Sequence, residues 1–383
     1  MQDQAITVER IEAYALSSAV VNGPRSSLAP MPTRNGLLIK LCDAEGGWGW
    51  GEAWCNFPPR GNLAKLLLLE DVIGPALLDS PVAAWDQGRR SLEGRLARME
   101  IHTGEQGPFS HLLAAIDLAL ADLAARRRGI SLARLLAERP LARVPVYASS
   151  PAPERLDSAL PDLLAAGHTA VKVKIGYDWD ADSSLLDRVR RIAPEVELYV
   201  DANQAWAPDI AADRLQALRD WQPRFVEEPM RADRPIEDWS TLAASSQIPL
   251  AAGENILSTQ RFAHMVEARA LRVVQPDVIK WGGVTGAMAV GRHAQRNGAR
   301  CFLHYMGTGL GLAASVQVMA ALGGDGYLEL DANDNPLRTD LGDIDLTVGD
   351  GALRVSEAPG IGFVPDPGRL AALAVGSCVL TGS

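Results

Sequence analysis

Cysteine is scarce in this 383-residue chain: Cys42, Cys55, Cys301 and Cys378 form no CxxC pair and no disulfide framework. That usage suits a reducing cytosol, so the expected location is cytoplasmic. Positive charge is also short, since 37 Lys and Arg against 47 Asp and Glu leave a net charge of −10. Such a field argues against nucleic-acid and anionic-membrane partners. The one basic cluster, Arg126-Arg127-Arg128, closes an apolar helical pattern that starts at His111, where cations suit a helix C-terminus and Gly129 suits its stop. Long apolar runs are missing: no stretch approaches the ~20 residues a membrane helix needs, and no N-terminal segment resembles a secretory signal. What is present is a globular composition, 47% hydrophobic and 22% charged, in a chain long enough for a large core and a second unit.

Strand-like apolar runs recur about every 26 residues between Pro145 and Asp331. They read 145-PVYAS, 170-AVKVKI, 197-ELYVD, 224-RFVEE, 249-PLAAGE, 273-VVQPD, 300-RCFLH and 326-GYLEL. Each interval holds one strand, one helix and two loops. Helical patterns fill the gaps, as at Arg155 to Ala166, Ser184 to Ile192 and Ala287 to Asn297. Eight such units predict an α/β fold, a (β/α)₈ TIM-type barrel over residues 144–345, with its chemistry at the strand C-terminal ends. Residues 1–140 read as an α+β capping domain. There Ile6 to Leu16 alternates like a strand, and Gly36 to Cys42 and Trp48 to Trp54 flank the hairpin signal Asp43-Ala44-Glu45-Gly46-Gly47. Helical patterns follow at Asn62 to Ile73, Ala83 to Met99 and His111 to Arg128. Residues 346–383 read as short and loop-like, folding back onto the first domain.

Asp201, Glu227 and Glu254 end three successive strand runs. Adjacent parallel strands lie ~4.8 Å apart, so three such carboxylates converge and must protonate or share a cation. Oxygen ligands select a hard ion, Mg²⁺ first and Mn²⁺ as an alternative. Lys172 and Lys174, two residues apart on one strand, point the same way, and mutual repulsion is expected to lower their pKa values toward a usable base. His304 ends the seventh run and Asp277 the sixth, which makes them neighbours: a carboxylate that orients an imidazole. Lys280 follows three residues later, beside the same pair. The other five histidines (His102, His111, His168, His264 and His293) have no such partner and are read as structural. Glu329, in the eighth run, would donate a hydrogen bond to a developing oxyanion if protonated.

Taken together, 172-KVK, 201-DAN, 226-VEEP, 253-GEN, 276-PDVIKWGGVTG, His304 and 328-LEL resemble the enolase superfamily, and within it the mandelate racemase subgroup. The resemblance spans nearly the whole chain, including GWGEA (Gly49 to Ala53), which is typical of the family's capping domain. It implies a modified (β/α)₇β barrel, Mg²⁺ held by Asp201, Glu227 and Glu254, and Glu228 behind them. It also implies Lys174 as base on one substrate face, tuned by Lys172, which contacts the substrate carboxylate. The His304–Asp277 dyad serves the other face, Glu329 bonds the enolate oxygen, and Asn203 touches substrate or metal-bound water. A homo-oligomer is implied too.

The implied chemistry is Mg²⁺-dependent removal of the proton α to a carboxylate of a small acid. Two outcomes stay open: dehydration of a hydroxy or sugar acid to a 2-keto-3-deoxy acid, which is preferred by analogy, or racemisation or epimerisation of a hydroxy acid or amino-acid derivative. A cycloisomerase using Lys174 and Lys280 is a variant, and a barrel that binds acids without turnover is a reading from another class. Substrate choice is expected from capping loops: Ser17 to Asn35 with Asn22, Arg25 and Arg34, and then Trp54, Asn56 and Phe57. Trp281 and Asp331 suit an ammonium-bearing substrate. The glycine cluster 307-GTGLG lies after the seventh strand, where it turns the chain or lets backbone approach a small anion.

Overall fold

The alternating first segment is a strand, β1 (Val8–Ala19), paired antiparallel with β2 (Thr33–Asp43), which turns back into β3 (Trp48–Trp54). At the turn Gly46 takes φ +80°, and the Asp43 carboxylate accepts from the Glu45 and Gly47 amides at 3.0 and 2.6 Å. This computed structural model describes residues 5–20, 23, 31–79 and 81–382. Arg25 and Asn22 therefore lie outside the described residues.

Glycine in 48-WGWGEAW has a packing reason. A Cβ at Gly49 would lie 2.2 Å from the Ala119 carbonyl oxygen, and one at Gly51 would lie 1.9 Å from that of Ala115. Only glycine lets the helix Gln106–Arg127 rest directly on β3. Contrary to the expectation of no such stretch, this 22-residue helix is long and apolar enough to cross a membrane. It is a core helix, with 89% of its apolar window buried. The arginines at its end are engaged: Arg126 bonds Asp122 at 2.9 Å and stacks 4.0 Å from the Trp48 ring, while Arg127 bonds Asp43 at 2.7 Å.

Eight parallel strands form a second, curled sheet: β4 (Arg143–Ser149), β5 (Ala170–Lys174), β6 (Glu197–Asp201), β7 (Val226–Glu227), β8 (Leu250–Ala252), β9 (Val273–Val274), β10 (Arg300–Cys301) and β11 (Leu328–Asp331). Their order is β10-β9-β8-β7-β6-β5-β4-β11. The two edges meet at Leu303, whose amide donates to the Tyr327 carbonyl at 3.1 Å and whose carbonyl accepts from the Glu329 amide at 3.0 Å. A helix of nine to fourteen residues follows each of the first seven strands, but a single turn, Pro336–Thr339, follows the eighth.

The inward side chains change character in two-residue steps, because alternate residues of a strand face one way. Tyr199 gives way to Asp201, Phe225 to Glu227, Phe302 to His304 and Tyr327 to Glu329. The lower layer is a buried aromatic cluster, with the Tyr199 and Phe225 rings stacked at 4.4 Å and Phe302 edge-on to Phe225 at 5.3 Å. Above it sits a charged layer. The register Lys172–Tyr199, Lys174–Asp201 and Asp201–Glu227 places the candidate residues on one side.

Residues 346–383 contain more regular structure than expected. β12 (Ala352–Arg354) pairs antiparallel with β4, and β13 (Ala374–Thr381) pairs antiparallel with β1, after a short helix Pro367–Leu373. The first sheet therefore runs β13-β1-β2-β3, with its outer strand supplied by the chain terminus. Val375 and Val379 point outward from it, which is why that strand does not read as a core element.

Candidate active site

On the β5 side, Lys174 donates to Asp201 at 3.2 Å and to the Asn203 side-chain oxygen at 2.5 Å. Below it, Lys172 is buried and donates to Glu227 at 2.6 Å and to Glu329 at 2.9 Å. Gln275, two residues before Asp277 on the same face, donates to Glu227 at 2.6 Å. On the β10 side, His304 Nδ1 lies 2.6 Å from Asp277, and its Nε2 faces inward, 3.3 Å from Glu254 and 3.8 Å from Glu329. Lys280 donates to the same Glu254 oxygen at 3.0 Å and to Asn255 at 2.9 Å. Lys172, Lys174, Asp201, Asn203, Glu227, Glu254, Asp277, Lys280, His304 and Glu329 are thus gathered at one end of the sheet.

Charge here departs from two expectations. Burial alone would lower both lysine pKa values, but carboxylates outweigh it: Glu227 and Glu329 hold Lys172 well above its ordinary value, and Asp201, Glu254 and Glu227 raise Lys174 despite repulsion from Lys172. Carboxylates thus outweigh mutual repulsion at this pair. Glu329 is not held protonated either. Burial pushes it up, but Lys172, His304 and the Ser149 hydroxyl that donates to it hold it below the usual carboxylate value. His304 is raised to about 9, since Glu254, Glu329 and Asp277 overcome its burial. Burial raises Glu227 to about 7 with help from Asp201 and Glu329, against Lys172.

Residues 156–369 match the family of enolase C-terminal domain-like proteins, more than half of the chain. This protein belongs to the enolase superfamily. Its fold matches a mandelate racemase/muconate lactonizing enzyme from Bordetella bronchiseptica RB50 at 39% identity and TM-score 0.89, over 96% of this chain and 99% of that one. It also matches L-talarate dehydratase from Polaromonas sp. JS666, crystallised with Mg and L-glucarate, at 22% identity and TM-score 0.83, over 98% and 99%. Among sequence relatives, D-galactarolactone cycloisomerase of Agrobacterium fabrum is 28% identical, covering 85% of this chain and 88% of its own length. L-Ala-D/L-Glu epimerase of Bacillus subtilis is 23% identical, over 93% and 96%. The superfamily relatives are enzymes, dehydratases and isomerases alike.

Does this member's own chemistry fit a metal? Among the described residues no three His, Cys, Asp or Glu side chains are gathered into a ready cage, and each candidate ligand is paired with a lysine: Asp201 with Lys174, Glu227 with Lys172, Glu254 with Lys280. The charge balance favours a cation all the same. Asp201, Glu227, Glu228, Glu254, Asp277 and Glu329 outnumber Lys172, Lys174, Lys280 and His304. Glu228, fully buried, is pushed well above its ordinary value by burial, Glu254 and Asp201. An oxygen-only donor set with surplus negative charge suits a hard divalent ion.

Three expected substrate contacts are otherwise occupied. The Asp331 carboxylate is buried in an ion pair with Arg34, with Arg338 3.6 Å away, so it has no spare charge for a substrate ammonium and Arg34 none for a carboxylate. Trp281 packs against Phe262 at 5.7 Å and over Gly286, on the helical layer. The anion served by 307-GTGLG is the protein's own Glu52. Its buried carboxylate accepts from the Thr308 amide at 2.8 Å, the Thr308 hydroxyl at 2.6 Å and the Gly311 amide at 2.8 Å, capping the helix Gly309–Leu322. A Cβ at Gly311 would sit 2.6 Å from that carboxylate. Asn56 is a joint as well, donating to the Met306 carbonyl at 2.8 Å.

Trp54 does reach the site: its ring lies 4.5 Å from the Lys280 ammonium and 5.4 Å from the His111 ring. His111, read as structural, is a buried neighbour of Trp54. Glu52, Ser149, Asn255, Gln275 and Lys65 were not singled out from sequence. Two-residue parity would have found Gln275. No local signal marks Lys65, a lysine on an ordinary helix.

Proposed function

We propose that this protein removes the proton α to the carboxylate of a small acid, with Lys174 and the His304–Asp277 dyad on opposite faces of the substrate, and that the net reaction is dehydration of a hydroxy acid. The barrel is read as (β/α)₇β, since a single turn follows its eighth strand. The carrying observation is the placement of two proton-transfer groups on either side of buried carboxylates. Lys174 stands over Asp201, and His304, braced at 2.6 Å by Asp277, aims Nε2 inward from the far strand. Asp201, Glu227 and Glu254 would hold Mg²⁺, as the Mg-bound Polaromonas neighbour supports by analogy. When bound, the ion would neutralise the substrate carboxylate and offset the carboxylate field that keeps Lys174 protonated, while Asp277 keeps His304 charged.

The chain's own steps follow. Lys174 Nζ, steadied by Asn203, takes the α-proton. His304 Nε2 gives a proton to the departing β-hydroxyl, and Asp277 stabilises the imidazolium before transfer. Lys172, held by Glu227 and Glu329, offers its ammonium near the substrate carboxylate. The dehydratase relatives support elimination. A second reading rests on the same opposed pair and on the epimerase relative: return of a proton from the opposite face would racemise or epimerise the substrate.

The test is proton NMR in D₂O, with EDTA-treated protein and added MgCl₂, on a panel of sugar acids, hydroxy acids and amino-acid derivatives. A keto acid formed only with Mg²⁺ supports dehydration. Loss of the α-proton signal without keto acid shifts the reading to racemisation or epimerisation. Neither change, with ligand binding retained, overturns the catalytic reading.

A further inference from the structure

Nitrogen-bearing side chains line the seam between the first domain and the strand ends, leading outward from Glu254. Lys280, bonded to Glu254 and Asn255, lies 4.5 Å from the Trp54 ring. His111 stands edge-on to that ring at 5.4 Å. Lys65, on the helix Gly61–Leu68, and Lys280 both act electrostatically on His111.

Their hydrogen-bond accounts do not close. The Trp54 indole N–H and His111 Nδ1 are buried without a partner. Lys65 is only 3% exposed, and among the described residues no carboxylate or carbonyl accepts from its ammonium. Glu52, the neighbouring carboxylate of the first domain, is committed to Thr308 and Gly311. A buried polar atom with no partner is costly. An anion supplied from outside would satisfy all of them at once.

We propose that Lys65, His111, the Trp54 indole and Lys280 form a subsite for a second anionic group at the end of the substrate remote from the reacting carbon, so that the substrate is a dicarboxylate. The inference rests on the α-proton reading above. Burial, Lys65 and Lys280 hold His111 well below its ordinary pKa, so it acts as a neutral hydrogen-bonding group and the two lysines carry the charge. The same lysines repel an ammonium-bearing end, which sets the subsite against the amino-acid-derivative alternative.

The experiment compares D-glucarate and galactarate with D-gluconate and D-galactonate, and with gluconate 6-phosphate, on the Mg²⁺-loaded wild type, Lys65→Met and Trp54→Phe. Turnover is followed by NMR and keto-acid assay, and binding by calorimetry whether or not turnover occurs. The subsite requires the diacids to be favoured over the monoacids. It also requires Lys65→Met to lower the diacid-to-monoacid ratio of kcat/KM, or of affinity where there is no turnover, by roughly 10- to 100-fold. Lys65→Arg should restore most of the ratio, and Trp54→Phe, which removes the N–H together with the five-membered ring of the indole, should lower it by roughly fivefold. Preference for the 6-phosphate over both diacids would overturn the carboxylate assignment. An unchanged ratio in Lys65→Met overturns the subsite. Proton exchange absent from every acid, with the diacid preference in binding intact, would remove the catalytic reading and leave the subsite standing.

Discussion

The two flanks of the site are built differently. Lys174 depends on its immediate neighbours, Asp201 on the next strand and Asn203 just beyond it. His304 and Lys280 lie on the flank that the first domain covers. The bonds described from that domain to the site's loops all land from Ile279 onward: Trp54 on Ile279, Asn56 on Met306, Glu52 on Thr308 and Gly311, Arg34 on Asp331 and Asp334. Asp117, buried in the helix Gln106–Arg127, accepts from the Thr285 amide at 2.9 Å in the first turn of the helix Gly283–Arg296. The helices after β9 and β10 thus each receive a carboxylate from the other domain at their N-termini, where amides are otherwise unpaired. The candidate base Lys174 is held by groups of its own sheet, whereas the candidate His304, bonded to Asp277 on the neighbouring strand, also lies beside loops that meet the first domain.

The largest effects break the chemistry on both flanks alike. Lys174→Ala and His304→Asn should each lower net turnover by roughly 10²–10⁴-fold, measured as keto-acid formation or loss of optical rotation. If both variants kept wild-type rates, the two-face assignment would fall. Glu52→Ala separates the flanks. It leaves the Thr308 and Gly311 amides unpaired in the interior, at a cost of about 3 kcal/mol in denaturant unfolding, and lowers turnover by loosening the loop beside His304. A stability loss with unchanged turnover would show that the joint does not position the base.

The joint also carries a pH signature. Burial, opposed by its hydrogen bonds to Thr308 and Gly311, raises Glu52 from 4.5 to about 7, and burial opposed by Thr285 raises Asp117 from 3.8 to about 6. A carboxyl group whose folded value lies above its unfolded one contributes stability that is full below the unfolded value and is lost as pH rises through the folded one. The stability advantage of wild type over Glu52→Ala should therefore narrow between pH 4.5 and 7, read from thermal melts. A gap that widens over that range would contradict the burial account. The smallest effect belongs to the other flank: Asn203→Ala removes one contact to Lys174 and should lower turnover about tenfold with little change in unfolding.

Much of the site could be read along the chain because strand geometry is local. Two-residue parity, a strand–helix repeat and polar strand ends suffice to bring Asp201, Glu227, His304 and Asp277 together. What could not be read was pairing. Asp331 looked like a spare carboxylate because its partner, Arg34, lies 297 residues away. The glycines of 307-GTGLG looked poised for a ligand because the anion they serve, Glu52, belongs to another domain. Lys65 and His111 sit on helices whose patterns promise only packing.

The sequence by itself determined which side chains face inward and in what order around the sheet, since that follows from a two-residue period and the chirality of the chain. Only the tertiary structure decided which charge each of them meets. Ion pairing and desolvation depend on distances through space across segments remote in the chain, and these set whether a buried carboxylate is a ligand, a clamp or one half of a neutral pair.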